Sequence, residues 1–263
     1  MKKIIVNADD FGISKEVNEG IVKGFQDGII SSTTVMANMP EFEEAMNLAK
    51  KNSKLGVGVH LNVIDGKALA IKEELSQKFA VKSILGLVKR KTVEEELMAQ
   101  VEKVVKHIDP SHLDVHQHQG VFPNIREAVV NVAKEYKIKK IRLPKENAFS
   151  LDDFSQLWKK KLIDTFIPQT KRLYDKNELI YPEQFFGILS TGSFNVNYLE
   201  SFLKKLKKNG EIMVHPGFYS KESPLKGDFL VESKHKELNA LISLEAKELL
   251  KKYNVKKISF KDL

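Results

Sequence analysis

The stretch Ile4-Ile5-Val6-Asn7-Ala8-Asp9-Asp10-Phe11-Gly12 (IIVNADDFG, residues 4–12) runs three apolar β-formers straight into two adjacent carboxylates. Two like charges at the end of a buried strand repel each other and lose hydration, so they call for a cation or another partner. In a parallel (β/α) fold, the C-terminal strand ends are where functional groups are displayed.

Working outward, strand Lys2–Asn7 is followed by a helix over Ser14–Asp27. Ser14 stands at its N-cap, Val17, Ile21, Val22 and Phe25 form one stripe, and Gly28 ends it. Ser31–Ala37 is rich in β-formers, Glu41–Lys51 is helical and Leu55–Leu61 is a strand. Thr92–His107 reads as a helix with Thr92 and Glu95 spaced as a capping box. Then come strand His112–His116, helix Ile125–Tyr136, strand Lys140–Leu143 and a helix near Asp152–Thr165. Strand Phe185–Leu189, helix Val196–Lys208, strand Glu211–His215, helix Ser233–Tyr253 and strand Lys256–Phe260 complete the chain.

This alternation predicts the α/β class with a parallel sheet. Seven or eight such units in 263 residues favour a (β/α) barrel-like fold, incomplete or distorted in places, over an open doubly wound sheet. No internal repeat or linker-like tract interrupts it. The expectation is one catalytic domain over 1–263, with a less regular insertion at about 64–91 and an irregular segment at about 145–183.

Composition narrows the function classes. The net charge of +8 is mostly lysine in short runs such as WKKKL and LKKLKKNG, which read as solvated helix faces. A nucleic-acid surface would interleave arginine with aromatics, and arginine is scarce, so no nucleic-acid partner is expected. The absence of cysteine removes disulfides, thiolate zinc sites and thiol catalysis. The opening MKKIIVNADD has too short an apolar run for a signal segment, and no later stretch approaches about 18 apolar residues. A soluble, cytoplasmic protein with no membrane partner is expected.

Four strands bring Asp or His to one rim: Asp9 and Asp10, His60 in GVGVHLN, His116 in HLDVHQHQG and His215 in EIMVHPGFY. A fifth carries Arg142 in KKIRLP. Each has an ordinary alternative, such as a polar turn for the doublet or a satisfied core histidine for His60. In HLDVHQH, strand alternation would put His112, Asp114, His116 and His118 on one face. Burying that set without a cation is costly, and two histidines with one carboxylate leave coordination positions open for water and substrate. Asp10, His60 and His116 are the ligand set on this reading, with Asp9 free as a base. His112 reads as structural, and His107 and His235 as surface residues.

The motifs NADDFG, SSTTVMAN, GVHLN, HLDVHQHQGVFP and HPGFY stand in the order found in the YdjC-like carbohydrate deacetylases, which this chain resembles from Ile4 to about Lys257. The resemblance implies a barrel-like fold similar to polysaccharide deacetylases, and a divalent cation on an Asp-His-His set. The family's doublet falls on Asp9 and Asp10, its metal histidines on His60 and His116, its next histidine on His118 and its late histidine on His215. Polysaccharide deacetylases with a similar doublet support Asp10 as ligand, although the two roles are open to exchange. Many members continue HQHVH; here that position is Gly120, so an outer contact of the strand is missing.

The resemblance implies removal of N-acetyl groups from short amino-sugar oligosaccharides of chitooligosaccharide type. Asp9 would be the base, His215 the acid and Arg142 the group that holds Asp9 ionised. His118, Phe218 and Tyr219 are candidates for substrate contact. The donor set suits one divalent ion, Mg2+ or Zn2+, with Mn2+ or Co2+ also compatible. The expected partner is a small carbohydrate, and a homodimer is compatible with the family. The competing readings are a metal-dependent hydrolase of phosphorylated sugars and a non-catalytic sugar-binding module.

Overall fold

A computed structural model describes residues 1–146, 154–220 and 228–263. Its centre is a seven-stranded parallel sheet: β1 (Lys2–Phe11), β2 (Ser32–Val35), β3 (Gly56–Leu61), β4 (Leu113–Val115), β5 (Gln184–Phe186), β6 (Asn209–Val214) and β7 (Val255–Lys257). The order is β4-β3-β2-β1-β6-β5, with β7 paired to the start of β1. Beyond β4, single parallel bridges join Leu113 to Ile141 and Glu146 to Phe185. The segment 140–146 therefore touches both outer strands, and the sheet curls toward a barrel whose last stave is reduced to bridges. The strand expected at Lys140–Leu143 exists only in this form.

Helices α1 (Lys15–Gln26), α2 (Phe42–Lys51), α3 (Gln77–Ile84), α4 (Arg90–Val105), α5 (Ile125–Glu135), α6 (Phe154–Lys176), α7 (Val196–Lys205), α8 (Asp228–Ile242) and α9 (Leu244–Lys252) complete the α/β alternation. Parallel strands covered on both sides are apolar throughout. Ile4, Val6 and Ala8 of β1 share one hydrophobic cluster with Val35, Val59, Leu61, Leu113, Ile212 and Val214. The alternate residues of β1 meet a different set. Ile5 packs with Ile258 and Phe260 in a small separate cluster, and Asn7 and Asp9 meet polar groups from neighbouring strands. Phe260 stacks on His112 at 3.7 Å between ring centres. The C-terminal turn thus plugs one end of the sheet and leaves the other end for chemistry.

Several local expectations change. The helix after the insertion begins at Arg90, with no side-chain cap, so Thr92 and Glu95 do not form the expected box. The capping box forms instead at α5, between Asn124 and Glu127. The expected helix Ser233–Tyr253 is two helices, because Ser243 caps α9 by accepting a hydrogen bond from the Ala246 N–H at 3.1 Å. The insertion at 64–91 contains α3, capped by Ser76. The segment at 145–183, expected to be irregular, holds the 23-residue α6, although its expected start at Asp152 lies outside the described residues. That helix passes through Pro168 because Ile163, Ile167, Thr170 and Tyr174 keep one buried face on both sides of it. Pro168 removes only one intrahelical donor.

Candidate metal and catalytic site

Regular alternation along β1 would send the side chains of Asp9 and Asp10 to opposite faces. A bulge prevents this. The pairing of β1 with β2 slips between Ala8 and Phe11, and Asp10 takes a left-handed φ of 69°. Both carboxylates consequently approach one atom, His60 Nε2, at 4.0 Å from Asp9 and 3.7 Å from Asp10. Backbone strain of this kind in a non-glycine residue is a mark of functional sites.

Asp9 is buried and gripped by Arg142, with Nη1 donating to Oδ2 at 2.6 Å and Nη2 to Oδ1 at 2.7 Å. Asn7 Nδ2 also donates to Oδ1, at 2.9 Å. Burial alone would raise its pKa, but the guanidinium outweighs this and holds Asp9 far below the usual carboxylate range. Arg142 also donates to Glu211 at 2.7 Å and pairs with Asp114 at 2.8 Å. Three buried carboxylates thus share one cation. Burial dominates at Glu211 and pushes it up to about 7.

His60 and His116 face each other across the cavity, with Nε2 and Nδ1 3.1 Å apart. The far nitrogen of each ring is held by a carboxylate: His60 Nδ1 by Asp114 at 2.6 Å, and His116 Nε2 by Asp65 at 3.0 Å. Carboxylates in this position orient histidines that bind metals. Thr34 donates to Asp114 at 3.0 Å, which completes the support behind His60. Around His116, burial lowers the pKa, but Asp10 and Asp65 outweigh it and raise the ring to about 9.

Asp10 Oδ1 lies 3.4 Å from His116 Nδ1 and has no hydrogen-bond partner although it is buried. One ligand atom each from Asp10, His60 and His116 falls within a 4.8 Å cluster. An orphaned carboxylate oxygen and two nitrogens backed by carboxylates suit a divalent cation. In a second cluster, Asp9, His60 and Asp114, both carboxylates are already paired with the Arg142 guanidinium.

His116 does not continue β4. The strand ends at Val115, and Gln117 and His118 adopt left-handed φ values of 50° and 60°. The expected shared face of His112, Asp114, His116 and His118 is therefore broken after His116. His112 lies deeper, and its Nε2–H donates to Asn7 Oδ1 at 3.2 Å. The glycine beside it, Gly58, makes room for that ring: a Cβ there would lie 2.5 Å from His112 Nδ1. The open space in GVGVH thus serves His112 rather than His60. Gly120 packs on Val115, where a Cβ would come within 2.5 Å, and is not an outer strand position.

The cavity has a volume of about 380 Å³, and its wall includes Asp9, Asp10, His60, His116, His118 and His215. His118 is buried with its ring against Phe185, 5.7 Å between centres. His215 follows β6. Its ring is pushed down to about 4 by desolvation, and its backbone N–H donates to Glu237 at 2.6 Å. Phe218 and Tyr219 do not line this cavity. Phe218 lies near His235, and its N–H donates to the Glu16 carbonyl at 3.0 Å, while Tyr219 is exposed. His107 and His235, expected on the surface, are half-buried.

The site also uses residues that the motifs do not mark. Lys234 of α8 pairs with Asp10 at 3.0 Å, Asp65 of the insertion backs His116, and Lys159 of α6 joins the cavity wall. They come from a helix or loop far away in sequence, where lysine and aspartate read as ordinary surface residues. Only the Asp-Gly turn at Asp65 offered a local signal.

A curled parallel sheet with an Asp-His-His cluster and an arginine-held aspartate at one rim defines a hydrolase-like α/β scaffold. The family described as YdjC-like protein matches residues 3–252, and the chain belongs to that family. A carbohydrate deacetylase of Clostridium beijerinckii is 34% identical over 99% of this chain and 100% of its own length. One from Brevibacillus brevis is 30% identical over 99% of both chains. Among solved structures, an Enterococcus faecalis protein with a proposed role in cellobiose-phosphate cleavage shares the fold. Its TM-score is 0.79 at 21% identity, over 99% of this chain and 98% of that one. No helix among the described residues is long and apolar enough to cross a membrane.

Proposed function

We propose that this chain is a metal-dependent carbohydrate deacetylase that hydrolyses the acetamide of N-acetylated amino-sugar oligosaccharides of chitooligosaccharide type and releases acetate. The observation that carries this reading is the cluster of Asp10, His60 and His116 beside the arginine-held Asp9. The full-length relatives named carbohydrate deacetylases support the reaction class.

Asp10, His60 and His116 would hold one divalent ion, with Mg2+, Zn2+, Mn2+ and Co2+ all compatible with the donors. When bound, such an ion polarises a carbonyl and acidifies water. The chain's own groups do the rest. Asp9 accepts a proton from the attacking water through Oδ2, the oxygen nearer His60. Arg142 fixes the plane of that carboxylate and keeps it ionised. So low a proton affinity means that Asp9 holds the proton only briefly.

His215 starts as neutral imidazole. Negative charge developing on the substrate raises its proton affinity, so the ring takes up a proton from solvent water and, as imidazolium, delivers it to the leaving nitrogen, while the proton accepted by Asp9 returns to solvent. The C–N bond breaks, a C–O bond has formed, and the products are acetate and a free amine. His118 shapes the cavity wall beside the sugar. Phe218 and Tyr219 lie outside this cavity and act on substrate only where a longer oligosaccharide reaches past it.

A phosphorylated amino sugar is a second reading of the substrate. Lys159 is half-buried in the cavity wall and makes no hydrogen bond or ion pair among the described residues. An ammonium in that position suits a substrate anion.

The test strips the protein with a chelator, adds back single divalent metals, and measures acetate from di-N-acetylchitobiose and its phosphorylated form. Metal-dependent release that is lost in Asp9→Asn and His116→Ala is expected. Metal binding that depends on His116 without acetate from either sugar removes the substrate assignment. Absence of metal binding removes the metal centre.

A further inference from the structure

We propose that Lys234 limits how tightly Asp10 holds the cation, by occupying one carboxylate oxygen and leaving the other for the ion. The proposal rests on the metal site of the preceding section. Lys234 Nζ donates to Asp10 Oδ2 at 3.0 Å, and both side chains are nearly buried, 11% and 9% exposed. The other oxygen, Oδ1, is the orphaned one that faces His60 and His116. The two oxygens of one carboxylate are thus divided between an ammonium and the ligand cluster.

The lysine is well anchored. Its backbone carbonyl accepts the Gly217 N–H at 3.1 Å, in the loop that also carries His215. A Cβ on Gly217 would lie 3.3 Å from Lys234 Cβ, so loop and helix are in close contact. On the Asp10 side, the left-handed backbone fixes where the carboxylate points. The other cavity lysine, Lys159, makes no such pair among the described residues.

An ammonium this close to a bound divalent ion repels it, and it competes for the oxygen that a two-oxygen grip would need. A weaker hold leaves the ion more electron-poor, which favours polarisation of the substrate over retention of the metal. A lysine that served only to neutralise a buried carboxylate would act in the other direction, since its loss would loosen the site.

The experiment titrates metal-free wild type, Lys234→Met and Lys234→Arg with Mn2+ alone by calorimetry, with Mn2+ spectra as a second readout. Lys234→Met is expected to bind about ten-fold more tightly, with a changed spectrum, because one charge is removed a few ångströms from the ion. Lys234→Arg is expected to stay near wild type. Unchanged or weaker binding by a folded Lys234→Met overturns the proposal. Should that variant not fold, Lys234→Gln, which keeps a donor but no charge, carries the same expectation and the same refutation. Wild type that binds no Mn2+ overturns both this role and the metal centre. Acetate release is assayed separately. Tighter binding without acetate removes the deacetylase reading alone, and acetate release with unchanged affinity removes the Lys234 role alone.

Discussion

Arg142 meets Asp9 in a two-point contact, Nη1 to Oδ2 at 2.6 Å and Nη2 to Oδ1 at 2.7 Å, with both side chains almost wholly buried. The same guanidinium also serves Asp114 and Glu211, so its one charge is shared among three carboxylates while it orients the base.

Arg142→Lys is therefore not a conservative change. A lysine ammonium cannot make the planar two-point contact while reaching two further carboxylates. Breaking a buried pair leaves uncompensated charge, at a cost of about 3–5 kcal/mol. The expected outcome is a melting temperature lower by roughly 6–20 °C, at about 2–4 °C per kcal/mol for a chain of this size. Turnover should fall at least about 100-fold in the fraction that folds, since the base loses its orientation. Thermal melts and acetate release measure the two effects, and a near-normal melt with normal turnover would contradict this account of the cluster.

Much of this site was legible because the chain writes it at strand ends. Asp9, His60 and His215 follow short β-rich runs, and a parallel sheet carries such ends to one rim. What alternation could not show is the bulge at Asp10, which turns a carboxylate that a regular strand would send away. Nor could it show the abrupt end of β4, because HLDVHQH keeps an unbroken two-residue pattern while its backbone turns left-handed at Gln117 and His118. Lys234 and Asp65 escaped for a different reason. Their partners lie 224 and 51 residues away, and tertiary packing alone brings them there. The long α6 was obscured by Pro168, a residue that usually ends a helix but here sits in a continuous buried stripe.

Asp65 should matter through His116 rather than through direct contact with an ion. Its carboxylate holds His116 Nε2 at 3.0 Å, which leaves Nδ1 turned toward Asp10 and His60. Asp65→Asn keeps the shape but loses the charge that makes the ring a better donor. Metal affinity should fall about 10–100-fold, the usual effect of losing such an outer partner. Because Asp65 is half exposed, the fold should be little changed. Titration with Zn2+ and a thermal melt check both statements, and unaltered affinity would show that the contact does not orient the ring.

Gly20 lets α1 approach the loop that follows His215. A Cβ at position 20 would stand 2.6 Å from Gly217 Cα, a backbone atom that cannot rotate away. Gly20→Ala should destabilise by about 1–3 kcal/mol through overpacking, even though alanine is the better helix former. The loop must shift to relieve the contact, and His215 lies two residues from Gly217. Turnover should therefore fall more than the melting temperature alone explains. Gly86→Ala makes a useful contrast, since a Cβ there meets nothing within 4 Å, although its φ of +72° still strains an alanine. A variant Gly20→Ala as stable and active as wild type would refute the close-packing argument.

Glu211 should impose a pH dependence on stability. Burial, only partly offset by Arg142, raises its pKa from 4.5 to about 7, so the folded state binds this proton more tightly than the unfolded chain does. The stabilisation is fully present below about pH 4.5, declines above it, and is lost as pH rises through 7. A shift of this size corresponds to roughly 3 kcal/mol. Glu211→Gln mimics the protonated form and has no charge to bury. Relative to wild type, its melting temperature should rise steadily between pH 5 and pH 8, with the largest gain at the alkaline end. The substitution keeps an oxygen to accept from Arg142 Nε, so the hold on Asp9 should survive. Parallel pH dependence in the two proteins would mean that Glu211 is ionised throughout and that the guanidinium outweighs its burial.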